Sequence, residues 1–122
     1  MNKKEIGKLG KDIACKYLLG KKYIILNRNY RQKCGEIDII VRDLAGFLIF
    51  IEVKTRTSNK YGAGYESVDY YKQQKLIKTA YFYLNENKIW DDNFRIDVLS
   101  IDLDFKNRKS RVTHLKNAVE EK

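Results

Sequence analysis

The sequence predicts a single α/β domain over residues 1–122, with a central mixed sheet flanked by helices. Apolar residues recur at helical spacing near the N-terminus and again in the second half of the chain. The segments between and after them alternate apolar and polar side chains, as strands do. The length suits one ordinary domain, and no proline, repeat or low-complexity tract marks a linker.

The first predicted helix covers residues 3–19, with Gly20 placed to cap its C-terminus. Its predicted buried face comprises Ile6, Leu9, Ile13 and Tyr17. At about 100° per residue, a second stripe lies opposite that face. The members of this stripe are Lys4, Lys8, Lys11 and Cys15. We therefore expect a helix that packs on one side and is basic on the other, where it is either solvated or in contact with phosphates.

The remaining elements follow in the order β-β-β-α-β-β, so the complete predicted order is α-β-β-β-α-β-β. Residues 47–53 are apolar on both faces apart from Glu52, which is typical of a central strand covered on both sides. Asp69 is placed to cap the second helix. The predicted strands are 23–30, 35–42, 47–53, 94–102 and a short one near 111–115, with a turn at 43–46, a loop at 55–64 and the second helix at about 70–86.

The net charge of +9 is concentrated near the N-terminus. Residues 1–34 hold ten lysines and arginines against only Glu5 and Asp12. A local positive field attracts polyanions, so nucleic acid is the leading predicted partner and an anionic membrane surface the second. A lysine-rich coat that only confers solubility is the simpler alternative.

Several protein classes are excluded by what the sequence lacks. Its longest apolar run, Leu44 to Ile51, is far shorter than the roughly 18 residues of a membrane span, and we expect a cytoplasmic protein without a signal peptide. Cys15 and Cys34 are then expected to be reduced thiols. With His114 as the single histidine, these residues cannot form a four-ligand zinc site or a recognisable protease triad, so a bound metal would need oxygen ligands.

Two acidic strand ends form the most informative pattern. They are Gly35-Glu36-Ile37-Asp38 and Ile51-Glu52-Val53-Lys54. In a hairpin with an even-sum register, Asp38 lies opposite Glu52, and Glu36 lies near Lys54 on the same face. Carboxylates about 5 Å apart repel each other unless a cation lies between them, and two carboxylates with water suit Mg²⁺.

Lys54 follows Glu52 by two residues and is therefore expected on the same face. A metal ion there would activate water, and the ammonium would orient that water or stabilise the transition state. Glu36 would add a supporting hydrogen bond or a second metal contact. The alternative is an ordinary salt bridge between Glu52 and Lys54, but the doubly apolar strand before them and the Asp on the neighbouring strand favour a site.

The two segments 35–40 and 50–56 closely resemble the YraN-like family of uncharacterised bacterial proteins, which have a restriction-endonuclease-like fold. Further matches in order are Gly7, Gly10, Ala14, Tyr17 and Leu18, then Asn29-Tyr30-Arg31, Val68, Lys72, Ala80, Arg95-Ile96-Asp97-Val98, His114 and Asn117-Ala118. The resemblance implies membership of the PD-(D/E)XK nuclease superfamily. Archaeal Holliday-junction resolvases are related in fold.

By this resemblance, Asp38 and Glu52 are the metal-binding acids, the Val53 carbonyl is a further metal ligand, and Lys54 is the motif lysine. The implied metal is Mg²⁺, with Mn²⁺ as an alternative. Ile37 replaces the proline of the superfamily motif, and Lys11 stands where family members usually carry glutamate. Junction resolvases act as dimers, so a homodimer is expected by analogy.

Other basic residues are candidates for nucleic-acid binding. The full set is Lys4, Lys8, Lys11, Arg31, Arg56, Lys72 and Lys75. Lys60, Tyr61 and Tyr65 belong to a loop that either grips a backbone and stacks an unpaired base or simply packs on itself. Arg95 and Asp97 are predicted to be a structural pair.

The sequence thus predicts a Mg²⁺-dependent endonuclease that hydrolyses phosphodiester bonds in DNA, including branched or structured DNA. DNA is favoured over RNA. The main alternative is a nucleic-acid-binding module with a nuclease fold and no turnover, which Lys11 supports. A protein-interaction domain that docks an acidic partner is a third hypothesis.

Overall fold

The computed structural model describes residues 1–57, 68–91 and 93–120. The α/β class and the order α-β-β-β-α-β-β are confirmed. The elements are α1 (Lys3–Gly20), β1 (Ile24–Gln32), β2 (Gly35–Arg42), β3 (Leu48–Arg56), α2 (Tyr70–Glu86), β4 (Phe94–Asp104) and β5 (Lys109–Val119). In the part of the chain described, no helix is long and apolar enough to cross a membrane.

The five strands form one sheet in chain order, β1-β2-β3-β4-β5. β3 and β4 are parallel, and the other neighbouring pairs are antiparallel. A parallel pair needs a long crossover connection, and α2 lies within the one that joins β3 to β4. The sheet is therefore mixed, as predicted.

Apolar side chains form a core on each face of the sheet. β3 contributes to both cores, because Ile49 and Ile51 pack on the α1 side whereas Phe50 packs on the α2 side. This explains why its sequence is apolar at successive positions. Ala14 and Leu18 of α1 are completely buried in the first core, and Ala80 of α2 is completely buried in the second.

The buried face of α1 differs from the prediction. Its buried residues are Gly10, Ala14, Cys15 and Leu18. The four predicted core residues, Ile6, Leu9, Ile13 and Tyr17, are only partly buried at the margin of the core. A Cβ atom on Gly10 would lie 1.9 Å from Oγ1 of Thr55, so the absence of a side chain lets α1 approach β3 closely. Lys11 and Cys15 thus lie toward the protein rather than on an exposed stripe.

Several boundaries also differ from the prediction. Gly20 is the last helical residue of α1 rather than its cap, and the Lys21 N–H bonds to carbonyls of the last turn. Asp69 caps α2 as predicted, accepting the Lys72 N–H at 2.8 Å. β3 extends to Arg56, where a loop was expected, and β5 is much longer than the predicted short strand. The predicted loop residues Lys60, Tyr61 and Tyr65 lie outside the described residues.

Candidate functional site

The two acidic strand ends meet where β2 and β3 separate. The strands are antiparallel with Ile39 opposite Ile51, so the predicted even-sum register is confirmed. Regular pairing stops at that pair, one position before Asp38 and Glu52. Oδ2 of Asp38 instead accepts a hydrogen bond from the Val53 N–H at 2.7 Å. The Asp38 side chain therefore takes the place of a sheet hydrogen bond.

The alternation of β2 is interrupted at Asp38. Ile37 packs in the core under α2, whereas Ile39 packs in the core under α1. Residues two apart in a regular strand face the same side, so the backbone is irregular between them. The predicted regular hairpin is therefore interrupted at Asp38. The Asp38 carboxylate lies in the gap between the strands, 7% exposed as a residue.

A cleft of about 430 Å³ opens at this gap, and we call it the acidic cleft. It is bounded by α1, β2, β3 and the first turn of α2. Its lining residues are Lys3, Ile6, Gly7, Lys11, Glu36, Asp38, Glu52, Val53, Thr55, Thr57 and Lys72. Of the predicted catalytic and metal-binding residues, Asp38, Glu52 and Val53 are thus brought together.

Glu52 is only 2% exposed and is close enough to Asp38 for the two carboxyl groups to interact. Burial raises the pKa of Glu52 to about 7, and the hydrogen bond and the negative charge of Asp38 act in the same direction. The Lys72 ammonium lies 2.5 Å from Oε2 and opposes this shift. Oε2 is buried, and its contact with the Lys72 ammonium is an ion pair. Glu52 is therefore a buried carboxylate whose charge is compensated by Lys72.

Asp38 is matched by a lysine from the other helix. The Lys11 ammonium lies 3.4 Å from Oδ1 of Asp38 and donates to Oδ1 of Asn29 at 2.9 Å. Asn29 has a left-handed backbone conformation in β1, with φ of 57°. The two acids are thus each paired with one lysine, Lys11 from α1 and Lys72 from α2. Neither pairing was predicted from the sequence, because each joins residues far apart in the chain.

The residues present suit a hydrated divalent ion. Across residues 1–57, 68–91 and 93–120, no cluster of three His, Cys, Asp or Glu side chains is found. Mg²⁺ binds proteins through one or two carboxylates and keeps several waters, so Asp38 and Glu52 are a sufficient pair.

Two other predicted site residues lie at the margin. Lys54 is half-buried and close enough to Lys72 to interact with it, but it is not among the residues that line the acidic cleft. Glu36 lines the cleft, yet its exposed carboxylate pairs with Arg31 of β1 at 3.3 Å. The sequence predicted that Glu36 lies near Lys54, but no contact between them is seen among the described residues.

A second cleft of about 840 Å³ runs between α1 and β1, and we call it the basic groove. Its lining residues are Lys3, Lys4, Glu5, Gly7, Lys8, Lys11, Asp12, Arg28, Asn29 and Arg31. Arg28 is paired with Asp12, while Lys4 and Lys8 are exposed. Lys3, Gly7 and Lys11 line both clefts, so the basic groove leads into the acidic cleft.

The basic groove unites four of the predicted nucleic-acid-binding residues, Lys4, Lys8, Lys11 and Arg31. The other three lie elsewhere. Arg56 is paired with Asp102 at 3.0 Å on the sheet, Lys72 contacts Glu52, and the Lys75 ammonium lies 5.7 Å from the ring centre of Tyr71.

The predicted structural pair of Arg95 and Asp97 is confirmed, with Nε of Arg95 2.9 Å from Oδ1 of Asp97. Asp97 is also within 2.8 Å of Nε2 of His114 and accepts the Asn117 N–H at the same distance. His114 therefore belongs to a buried network within the sheet. Cys15 is buried, Cys34 is partly buried, and both are free thiols.

Comparison with known proteins identifies the family. The model of the uncharacterised protein family UPF0102 matches residues 10–101. The chain belongs to the UPF0102 family. A UPF0102 protein of Clostridium botulinum (strain Loch Maree / Type A3) is 44% identical over 116 residues, which cover 94% of each chain. One from Dictyoglomus turgidum is 42% identical over 118 residues, covering 97% of this chain and 99% of its own. The family resemblance seen in the sequence is confirmed.

Two solved structures are similar to this UPF0102 protein. A chain from the EndoMS–dsDNA2 complex is 15% identical with a TM-score of 0.43, covering 68% of this chain and 32% of its own. Pyrococcus furiosus SfsA, solved in complex with Ca²⁺, is 17% identical with a TM-score of 0.44. That match covers 98% of this chain and 66% of SfsA.

Proposed function

We propose that this UPF0102 protein is a Mg²⁺-dependent endonuclease that hydrolyses phosphodiester bonds in DNA, including branched DNA, in the cytoplasm. The observation that carries the proposal is the meeting of Asp38 and Glu52 in a cleft at the end of a basic groove. An acidic pair alone would repel a phosphate. Its position beside a positively charged surface suits a site where a metal ion mediates contact with a polyanion.

Asp38 and Glu52 would hold the ion, with the Val53 carbonyl as a further ligand. When bound, the ion would lower the pKa of its water and neutralise charge that develops on the phosphate. The Val53 N–H orients the Asp38 carboxylate, because it fixes Oδ2 at 2.7 Å. Burial of Glu52 strengthens its electrostatic interactions with neighbouring groups. Lys54 and Lys72 would supply positive charge near the reacting phosphate.

The basic groove would hold the nucleic acid on one side of the acidic cleft. Lys3, Lys4 and Lys8 are exposed along it and would contact successive phosphates. Such contacts bind a backbone without reading its sequence. No base specificity is therefore assigned. DNA is proposed as the substrate class, and RNA is the competing substrate to be tested beside it.

The direct test is cleavage of linear, nicked and four-way DNA, and of matched RNA, by the purified protein with Mg²⁺, Mn²⁺ or EDTA. We expect cleavage of DNA with either metal and none with EDTA. Asp38→Asn and Glu52→Gln should each lower the rate by about 100-fold or more, because each removes a charged metal ligand. Light scattering on the same samples would establish whether the active protein is a homodimer.

Glu120→Gln is the matched control, since Glu120 is exposed beyond the end of β5 and lines neither cleft. It should cleave as the wild type does. Cleavage that persists unchanged in both Asp38→Asn and Glu52→Gln would contradict the proposed site.

A nucleic-acid-binding module without catalysis is the second candidate function. Its specific support is that Lys11 and Lys72 already supply positive charge to Asp38 and Glu52. Salt-sensitive DNA binding with no cleavage in Mg²⁺ or Mn²⁺ would favour this function over the nuclease.

A further inference from the structure

We propose that Lys11 is the internal counter-ion of Asp38 in the metal-free protein, and that a divalent ion must displace it to bind. Lys11, once released, would bind phosphate in the basic groove, so ion binding and nucleic-acid binding would strengthen each other. This inference rests on the proposed function for the identity of the two ligands. Lys11 would regulate the affinity for the ion and for the nucleic acid.

The two oxygens of Asp38 have different environments. Oδ2 accepts the Val53 N–H at 2.7 Å, which leaves Oδ1 as the oxygen available for an ion. Oδ1 is the atom that faces the Lys11 ammonium, at 3.4 Å. A divalent ion bound at Oδ1 would therefore lie beside a positive charge, and Lys11 would have to move away.

Lys11 is held in place by a second contact and has room to move. Its ammonium donates a hydrogen bond to Oδ1 of Asn29. Asn29 is neutral and binds a metal less strongly than a carboxylate does, so the ion would be expected at Asp38 and not at Asn29. The Lys11 side chain is 25% exposed, and the residue lines both the acidic cleft and the basic groove. A rotation of this flexible side chain would carry the ammonium from one cleft to the other.

The coupling has a defined thermodynamic form. Without an ion, the charge of Lys11 is engaged with Asp38 and contributes little to phosphate binding. With an ion at Asp38, that charge is available to a phosphate in the groove. Because linkage between two binding sites is reciprocal, nucleic acid must then raise the affinity for the ion by the same factor.

The first experiment measures Mn²⁺ binding to the full-length protein by calorimetry without nucleic acid. Lys11→Met and Lys11→Gln should bind Mn²⁺ about tenfold more tightly, the change expected when the ion no longer has to break an attraction between unit charges 3.4 Å apart in a highly polar medium. Lys11→Arg retains the charge and should bind as the wild type does. Lys16→Met, on an exposed position of the same helix, should also leave the affinity unchanged.

The second experiment measures DNA binding with and without Ca²⁺. Ca²⁺ should tighten DNA binding by the wild type, and the effect should be smaller in Lys11→Met and Lys11→Gln, where only the direct contribution of the ion remains. Circular dichroism and thermal melting would show that each variant is folded. The inference is overturned if both uncharged variants bind Mn²⁺ no more tightly than the wild type, or if the Ca²⁺ effect is as large in them as in the wild type.

These outcomes are separable from those of the nuclease test. Cleavage by the wild type together with unchanged Mn²⁺ affinity in the Lys11 variants would overturn only the role of Lys11. Tighter Mn²⁺ binding in those variants without any cleavage by the wild type would support that role and overturn only the nuclease.

Discussion

Asp97 shows how one buried carboxylate can organise the backbone around it. The pairing of β4 with β5 shifts between Ile96 and Val98, and Asn117 on β5 has a positive φ of 53°. Such a bulge leaves a backbone N–H without its regular partner, and the Asp97 carboxylate accepts the N–H of Asn117. Arg95 and His114 bind the same carboxylate. Asp97 thus stabilises the sheet away from the acidic cleft.

We predict that Asp97→Asn lowers the free energy of unfolding by about 3 kcal/mol, because it removes one charge from a buried, hydrogen-bonded set. Urea denaturation at pH 7 measures this. Asp12→Asn is the control, since the Asp12–Arg28 pair is largely exposed and should cost less than about 1 kcal/mol. Equal losses for the two variants would contradict the assigned role of Asp97.

Asp97 should also make the free energy of unfolding depend on pH. Burial alone would raise the pKa of Asp97, but hydrogen bonds from His114, the Asn117 N–H and Arg95 outweigh it and lower this pKa below 3.8. The folded protein therefore binds this proton more weakly than the unfolded chain does. The stabilisation is complete above pH 3.8 and is lost as the pH falls through the lowered pKa.

The stability difference between the wild type and Asp97→Asn should therefore be constant near neutrality and shrink in acid. Denaturation curves of both proteins across this range would check it. If this stability difference instead grew as the pH falls, the predicted direction of the pH dependence would be wrong.

At the scale of elements, the position of α1 decides where Lys11 is. Gly10 precedes Lys11 and approaches Thr55 of β3 so closely that a Cβ atom would overlap with its side chain. The approach brings Lys11 over the point where β2 and β3 separate, near Asp38. A larger residue at position 10 would force α1 and β3 apart.

We predict that Gly10→Ala lowers the free energy of unfolding by about 1–3 kcal/mol, the usual cost of overpacking a core. Gly7→Ala provides a contrasting change in the same helix, because no atom lies within 4 Å of the added Cβ. It should stabilise the protein by about 0.5–1 kcal/mol through helix propensity. Thermal and urea unfolding of the two variants measure the contrast, and a stabilising Gly10→Ala would contradict the close packing.

The helix itself was predictable, but its orientation was not. Periodicity located α1 to within a residue, yet it favoured the large apolar residues as the buried face. In the structure the small residues Gly10 and Ala14 face the sheet, and Ile13 and Tyr17 lie beside the contact. Hydrophobicity alone does not report how closely two elements approach, whereas residue size does once the partner strand is known.

At the scale of the molecule, six of the ten lysines and arginines of residues 1–34 line one surface. α1 and β1 lie side by side, so lysines from the helix and arginines from the strand line the same groove. This arrangement creates a local positive field that leads toward the acidic cleft. The field would attract nucleic acid at a distance and weaken with salt.

We predict that the double variant Lys4→Ala/Lys8→Ala weakens DNA binding and reduces the slope of log K against log salt by about 2, one unit for each lost phosphate contact. Lys78→Ala/Lys106→Ala removes the same charge from exposed positions outside the groove and should change the slope little. Fluorescence anisotropy over a range of salt concentrations measures both. Equal effects of the two double variants would indicate a diffuse charge effect without a defined groove.

The sequence by itself determined the α/β class, the order of elements, the even register of β2 with β3 and the choice of Asp38 and Glu52 as candidate site residues. These follow from local periodicity and short-range spacing, which a chain carries in its own order. The irregularity at Asp38 and the pairing of each acid with a lysine were decided only by the tertiary structure. Lys11 and Lys72 lie on different helices that pack on opposite faces of the sheet. No local sequence pattern predicts how close these helices come to the ends of β2 and β3. Charge compensation in the cleft is therefore a property of packing between distant segments, since a buried carboxylate takes its partner from whatever the fold brings near it.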